Sequence, residues 1–382
     1  MKVLGDNIIS SLGFTAIDNY MAVRSGVSGL CLHTCRDLPE PFMASLIDKD
    51  RLRSEFSHLL QVDAPYTDLE KAAILSVYDA NSRCKVDLAS PKTLFICSTT
   101  KGNVGMLEEG FSFQSNEPSS VFLWKMAGTV SRFFKNPNKP IVVSNACISG
   151  LAAIIEAKRI LKTGIYHHVV VVGCDILCRF IISGFQSFKA LSLKKCRPFD
   201  IGRDGLNLGE AAATMILGDS DKEEMGGVLA GAICNDACHI SAPSRTGEGL
   251  FRTLSHILRG VGKKDIAFIN AHGTGTLYND DMEQNVIIRA GLENVPVNSL
   301  KPFFGHTLGA AGLVESIVSL HALNEGFVLK SPEFTQGRFN LDICRENRKT
   351  DKKYFVKMLS GFGGVNASVL FTKKEQPSAG NE

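Results

Sequence analysis

IVVSNACISGLAAIIEAKRILKTG occupies residues 141–164, and its two ends follow different periods. The stretch PIVVSN (140–145) is a β-branched apolar run of the kind that forms a buried strand. In ISGLAAIIEAKRILKTG (148–164) apolar positions recur at i, i+3 and i+4, and Lys, Arg and Gly mark the end, which is a helix pattern. A strand feeding directly into a helix is the unit from which α/β proteins are built, and the rest of the chain repeats it. TLFICSTT (93–100) and HHVVVVGCDI (167–176) read as buried strands. IAFINAHGTGT (266–276) reads as a strand and a Gly-rich loop, DDMEQNVIIRAGL (280–292) as a helix, and VPVNSLK (295–301) as a strand. GHTLGAAGLVESIVSLHALNEG (305–326) is a loop feeding a long helix. Such alternation predicts an α/β fold with parallel sheets. SNACISGLAAIIEA and GHTLGAAGLVESI both set a reactive-type residue just ahead of a small-residue helix start. The chain therefore reads as two similar halves meeting at one site. The join falls near DSDKEEMGG (219–227), giving halves of 1–223 and 224–382.

Composition narrows the function classes. With 382 residues, 44% hydrophobic and 21% charged, the chain is long enough for a large globular core. A net charge of +3 is too small to argue for nucleic acid. The basic clusters LKKCR (193–197) and NRKTDKK (347–353) are either solvated faces or docking patches for an acidic partner. There are eleven Cys, an odd number, and MKVLGDNIISSLG lacks the pattern of a secretory signal. The run VVVVG (169–173) is far too short to span a bilayer. These features predict a cytoplasmic protein with free thiols and no membrane association. Three C-x-x-x-C pairs, Cys31/Cys35, Cys174/Cys178 and Cys234/Cys238, lack a zinc spacing and are expected to pack in the interior.

Four segments carry chemistry. Cys147 sits where the strand meets the helix; it is either a small core residue or a thiol whose ionisation a helix N-terminus favours. His272 lies in NAHGTGT (270–276), either as a turn histidine or beside a substrate that Thr274 and Thr276 would contact. A metal site of His272 with Asp280, Asp281 and Glu283 is the alternative, although those carboxylates also suit the start of a helix. His306, in LKPFFGHTLGAAG (300–312), precedes a helix start, where imidazole stays neutral and both donates and accepts a hydrogen bond. Lys301 is either a surface charge or a polarising group in that site. LSGFGGVN (359–366) is an ordinary hairpin turn or a loop whose N–H groups join that of Cys147 in an oxyanion hole.

SNACISG, NAHGTGT, LKPFFGH followed by TLGAAGLVE, and SGFGGVN occur in this order at these separations. Together they resemble the β-ketoacyl-acyl-carrier-protein synthases of the condensing-enzyme (thiolase-like) superfamily, and most of all the elongating Cys-His-His type. RPFDIGRDGLNLGEAAATMIL (197–217) and NDACHISAP (235–243) resemble the family's connecting segments, so the likeness covers nearly the whole chain. It implies an α/β, thiolase-like five-layer αβαβα sandwich of two similar halves. It also implies decarboxylative Claisen condensation of an acyl group, held on Cys147, with malonyl-acyl carrier protein. In that reading His272 and His306 support decarboxylation and stabilise the enolate, and Lys301 is the site lysine. Phe362 gates the acyl pocket, and its N–H shares the oxyanion hole with that of Cys147. Thr274 and Thr276 contact the pantetheine arm, Ser360 and Gly361 border the substrate, and Glu315 is structural. No metal and no cofactor is implied, the substrate being carried on the phosphopantetheine arm of acyl carrier protein.

The resemblance further implies a dimer formed through HHVVVVGCDI as an edge strand, with the carrier protein docking near Lys194, Lys195, Arg197 and Arg203. A homodimer is expected, with the active half of a heterodimer as the alternative. Two departures stand out: the N-terminal strand MKVLG looks brief, and Ser360 stands where fatty-acid enzymes of this type carry Phe. The elongation implied is of fatty-acid or of polyketide or polyene type, and the departures favour a divergent synthase over a housekeeping fatty-acid enzyme. A non-catalytic chain-length subunit would lack the nucleophile, whereas Cys147, His272, Lys301 and His306 are all present. A degradative thiolase would carry a second Cys in its late Gly-rich loop, and LSGFGGVN has none. A serine-hydrolase elbow, a P-loop and a dinucleotide fingerprint are all missing from the sequence.

Overall fold

The computed structural model describes residues 1–59, 66–108, 118–219 and 225–374. The boundary expected at 223/224 lies outside the described residues. Among those residues ten strands form the main sheet: β1 (Lys2–Ile9), β2 (Thr93–Ser98), β3 (Ile141–Val143), β4 (His168–Asp175), β5 (Ala211–Gly218), β6 (Gly227–Asn235), β7 (Ile266–Asn270), β8 (Val297–Asn298), β9 (Tyr354–Gly361) and β10 (Val365–Thr372). Their order, β8-β7-β9-β10-β6-β1-β5-β4-β2-β3, divides at the centre. There β1 meets β6 through one pair of residues, Lys2 opposite Gly227. Within each half the order is the same. Counted from the start of its half, the strands run 3-2-4-5-1. The second is parallel to both its neighbours and the fifth is antiparallel to both of its own. The two similar halves inferred from two similar segments are thus present as repeated topology.

Three separate cores give the layers. Helix α1 (Asp68–Cys84) covers the outer face of the first sheet, where Phe95, Val170 and Ile216 pack with Ile74 and Val77. Helices α3 (Glu248–Ile257) and α4 (Leu277–Arg289) cover the outer face of the second, around Leu250, Ile269 and Val356. Between the sheets lie α2 (Ser149–Leu161) and α5 (Ala311–Asn324), with Ile154, Leu313 and Phe355 in one central core. Residues 311–323 of α5 are all buried, including Glu315 and His321, whose side chains have charged partners. The result is the expected five-layer αβαβα sandwich. The small residues that opened both helices have a packing cause. A Cβ on Gly312 would lie 2.4 Å from the Leu151 nitrogen, and one on Gly150 would lie 3.0 Å from the Gly309 oxygen. The two helix starts therefore touch backbone to backbone, which brings the segments of Cys147 and His306 together.

Three expectations need correction. HHVVVVGCDI is not an edge strand: β4 is paired on one side with β2 and on the other with β5, which explains its continuous apolar run. The edge of the first sheet is β3, paired with β2 alone among the described residues. The N-terminal strand is not brief either, because β1 continues through DNII. Its polar residues are buried with partners: Asp6 meets His321 at 3.0 Å, and Asn7 accepts from the Ala16 N–H and donates to the Phe14 carbonyl. Finally, the C-x-x-x-C cysteines are not all interior. Cys174 is buried, Cys178 and Cys234 are half-buried, and Cys31, Cys35 and Cys238 are exposed. In the first pair Cys31 opens a short strand, Cys31–His33, on the exposed side of a separate three-stranded sheet, and Cys35 lies two residues beyond it.

Candidate active site

Cys147 stands between β3 and α2 on a tight corner. Ala146 before it has φ +46°, a left-handed conformation that costs a non-glycine residue about 1–2 kcal/mol. Ser149 holds the corner: its hydroxyl donates to the Ala146 carbonyl at 2.6 Å and accepts from the Asn145 N–H at 2.8 Å. The thiol is 8% exposed, at the floor of a cavity of about 410 Å³. Burial pushes it up to about 11, against the opposing pull of the Lys301 charge and of the Phe362 N–H that donates to the sulfur. The expectation of a thiol ionised by the helix start is therefore corrected: desolvation outweighs it, and the resting group is the protonated thiol. Alkylation of Cys147 by iodoacetamide is accordingly expected to rise about tenfold per pH unit between pH 7 and 9. A plateau already reached below pH 8, followed by intact mass, would contradict this.

His272 ends β7. Its loop is drawn onto the first turns of α4 by two buried carboxylates. Glu283 accepts the N–H groups of His272 and Gly273, each at 2.7 Å, and Asp280 accepts those of Thr274 at 3.0 Å and Gly275 at 3.1 Å. Glycine is required at 273 and 275, whose φ values are +44° and +81°. Asp281 pairs with Arg203 at 2.7 Å. The alternative metal set of His272 with these carboxylates thus has its oxygens committed elsewhere.

His306 follows Gly305, whose φ of +67° lets the chain pass close to the Leu208 carbonyl. Its Nδ1 accepts the Leu308 N–H at 3.3 Å, so the ring hydrogen belongs on Nε2, which is buried and without a hydrogen-bond partner among the described residues. His272 Nδ1 is likewise buried and unpartnered among them. The two rings stand 5.1 Å apart at 79°, and the Cys147 sulfur and one nitrogen from each lie within 4.8 Å of one another. Both imidazoles are held well below the usual histidine range, first by burial and next by Lys301, so both are neutral.

The remaining expected residues surround this trio. Lys301 is buried and paired with Glu315 at 2.7 Å. Thr274, Thr276, Ser360, Gly361 and Phe362 line the cavity. The LSGFGGVN segment is indeed a hairpin turn between β9 and β10, and it also backs onto the thiol: a Cβ on Gly361 would lie 3.1 Å from the Cys147 nitrogen. Ser360 turns its hydroxyl to Asn366 at 2.7 Å. Phe362 packs against Phe185 and Phe188, with ring centroids 6.0 and 5.6 Å away. Of the basic residues expected to dock a partner, Lys194 and Lys195 are exposed. Arg203 is not available: it is buried, and its charge is taken up by Asp281.

Two features were not foreseen. Phe185 and Phe188 line the cavity from helix Arg179–Ser187 and its C-cap, and no pattern in SGFQSFKA marks them out. Lys357 is fully buried and shares Glu315 with Lys301. A signal for it existed, since it is a single charge inside the apolar strand run YFVKML.

Comparison with known proteins agrees with this geometry. The family models for the N-terminal and C-terminal domains of beta-ketoacyl synthases match residues 83–223 and 226–335. The chain is 29% identical to the 3-oxoacyl-[acyl-carrier-protein] synthase 2 of Rhizobium meliloti (strain 1021), over 79% of each chain. It is 33% identical to the protein of the same description from Vibrio cholerae serotype O1, over 66% of this chain and 67% of that one. Among solved structures it resembles a ketosynthase in complex with its chain length factor from Xenorhabdus doucetiae, with a TM-score of 0.85 and 23% identity over 97% of both chains.

Proposed function

We propose that this chain, which belongs to the β-ketoacyl synthase family, runs its decarboxylative condensation on Cys147, His272 and His306. The enzyme is an acyltransferase of the 3-oxoacyl-acyl-carrier-protein synthase class, acting in chain elongation. The observation that carries the assignment of residues is the convergence, at one cavity, of a buried thiol and two buried, neutral imidazoles whose ring nitrogens lack partners among the described residues.

In the first step the Cys147 sulfur attacks the acyl thioester and the thiol proton leaves with the carrier thiol. The N–H groups of Cys147 and Phe362 face the oxyanion. In the second, the bond between the malonyl methylene and its carboxylate breaks, CO2 departs, and the electron pair moves into a thioester enolate. His306 Nε2–H donates to the enolate oxygen. His272 in its Nδ1–H tautomer does the same, and neither ring needs to be charged. The enolate carbon then attacks the acyl carbonyl, the C–S bond to Cys147 breaks, and the thiolate released takes one proton from solvent, the proton that the loss of CO2 leaves to be supplied. Holding acyl carbon and enolate in one cavity converts a bimolecular step into a local one, an advantage on the order of 7–11 kcal/mol when alignment is good.

Thr274 and Thr276 lie along the wall where a pantetheine arm would run, and Lys194 and Lys195 supply exposed positive charge for an acidic carrier protein. We divide the chain into halves of 1–223 and 224–382, a reading that the repeated strand order supports. We assign the chain to a dimer, with itself or with a related subunit, through β3, the edge strand of the first half among the described residues. Helix Leu123–Phe133 flanks that edge, and the stacked rings of Phe122 and Trp124 are more than half exposed at its start. None of the eleven cysteines is in a disulfide, which supports a reducing, cytoplasmic setting.

Native and intact-protein mass spectrometry after incubation with a panel of acyl-carrier thioesters tests the reading. A dimer whose Cys147 carries the acyl increment, released on adding malonyl-carrier protein, is expected. A monomer, or a protein without adduct from any member of the panel, would overturn the corresponding part.

A further inference from the structure

Lys357 has no part in the steps above, yet it stands at their centre. It projects from β9 with no exposed surface, and its Nζ has three oxygen partners: Glu315 Oε2 at 2.5 Å, the Ala271 carbonyl at 3.1 Å and the Asn270 carbonyl at 3.4 Å. The other oxygen of Glu315 takes Lys301 Nζ at 2.7 Å. One carboxylate on α5 therefore joins two ammonium groups, and each reaches a different histidine segment. Lys301 lies five residues before His306. Asn270 and Ala271 are the last two residues before His272.

Resting on the assignment of Cys147, His272 and His306 to condensation, we propose that Lys357 is a positioning residue for His272. Its ammonium, anchored by Glu315, grips the Asn270 and Ala271 carbonyls and so sets where the His272 ring stands relative to the Cys147 sulfur. An ammonium suits this post because all three partners are acceptors and it donates three hydrogens. The buried carboxylate also needs both cations. With only Lys301 beside it, one oxygen of an ion in the protein interior would be left without a donor.

The groups facing Lys357 are Glu315 from α5, Lys301 from helix Lys301–Phe304, Glu283 from α4, and the two histidines. Burial lowers Lys357 to about 8, with Glu315 opposing and Lys301 reinforcing the shift. Glu283 is raised to about 7 by burial and by Asp280. The positive charge of Lys357 is one of the influences that keep both imidazoles neutral, after burial and Lys301. Loss of its proton above about pH 8 removes the charge and one of the three donors, so the clamp weakens as pH rises.

The test separates the two half-reactions in Lys357→Met. Malonyl decarboxylation is expected to lose about 10²-fold in kcat, the scale of a misplaced reacting group, with KM changed less than about threefold. Acylation of Cys147, read by intact mass, is expected to stay within about threefold of the parent protein. The falling limb of the decarboxylation pH profile near pH 8 is expected to disappear. Parental decarboxylation with an unchanged limb overturns the inference. If the parent itself forms no Cys147 adduct, it is the assignment of the site that fails instead. Should Lys357→Met not fold, Lys357→Gln keeps an N–H donor for Glu315, leaves Lys301 its partner and is too short to hold both carbonyls. Decarboxylation by that variant at the parental rate overturns the proposal, and a folded variant with slow decarboxylation and intact acylation supports it.

Discussion

Cys147→Ala is expected to remain folded and to take up no acyl group from any carrier thioester. The change deletes one sulfur at a cavity floor and leaves the corner intact, because the Ser149 hydrogen bonds that hold it run to the backbone of Asn145 and Ala146. The Phe362 N–H gives up its sulfur acceptor and then faces the cavity. Stability should therefore move by no more than about 1 kcal/mol. Condensation should fall on the order of 10⁶-fold, as when a covalent nucleophile is removed from a preorganised site. Decarboxylation of malonyl-carrier protein should survive, since both imidazoles keep their places. Intact mass after incubation with acyl thioester reads the first effect, and CO2 release reads the second. An acyl adduct on the alanine variant would reassign the nucleophile. The exposed thiols Cys31, Cys35 and Cys238 would be the first places to look.

His306→Ala should show the opposite division. Loss of a single preorganised donor to a developing oxyanion costs about 10²–10³-fold, and that loss should fall on decarboxylation. Acylation of Cys147 needs no enolate and should change by only a few-fold. The variant also leaves the Leu308 N–H without its acceptor, in a segment where Leu308 itself has φ +51°. A stability cost of roughly 1–3 kcal/mol is expected from that stranded donor. Thermal melting separates this from the catalytic effect, provided assays are run well below the transition. Equal losses in both half-reactions at a temperature where the variant is folded would show that His306 does not serve the enolate.

The reach of the sequence can be judged residue by residue. Cys147, His272 and His306 could be found because each sits at the end of a strand or the start of a helix. There a change of period, a glycine and a polar residue coincide. Asp280 and Glu283 were correctly read as part of a helix start, but their task is to accept the N–H groups of residues 272–275, a contact between segments. The ionisation of Cys147 was misjudged because a helix start is a local feature whereas desolvation comes from everything packed around it. HHVVVVGCDI looked like a strand and is one; which neighbours it has depends on strands more than thirty residues away on either side.

Local pattern therefore carried the element types, the hint of two similar halves and the candidate reacting groups, because periodicity, turn-forming glycines and helix starts are written within a dozen residues. Tertiary structure alone decided the protonation of Cys147, the edge of the sheet and the burial of Lys357 beside Glu315. Burial, pairing across a sheet and the sharing of Glu315 by two cations are relations between segments brought together only when the halves close on α2 and α5.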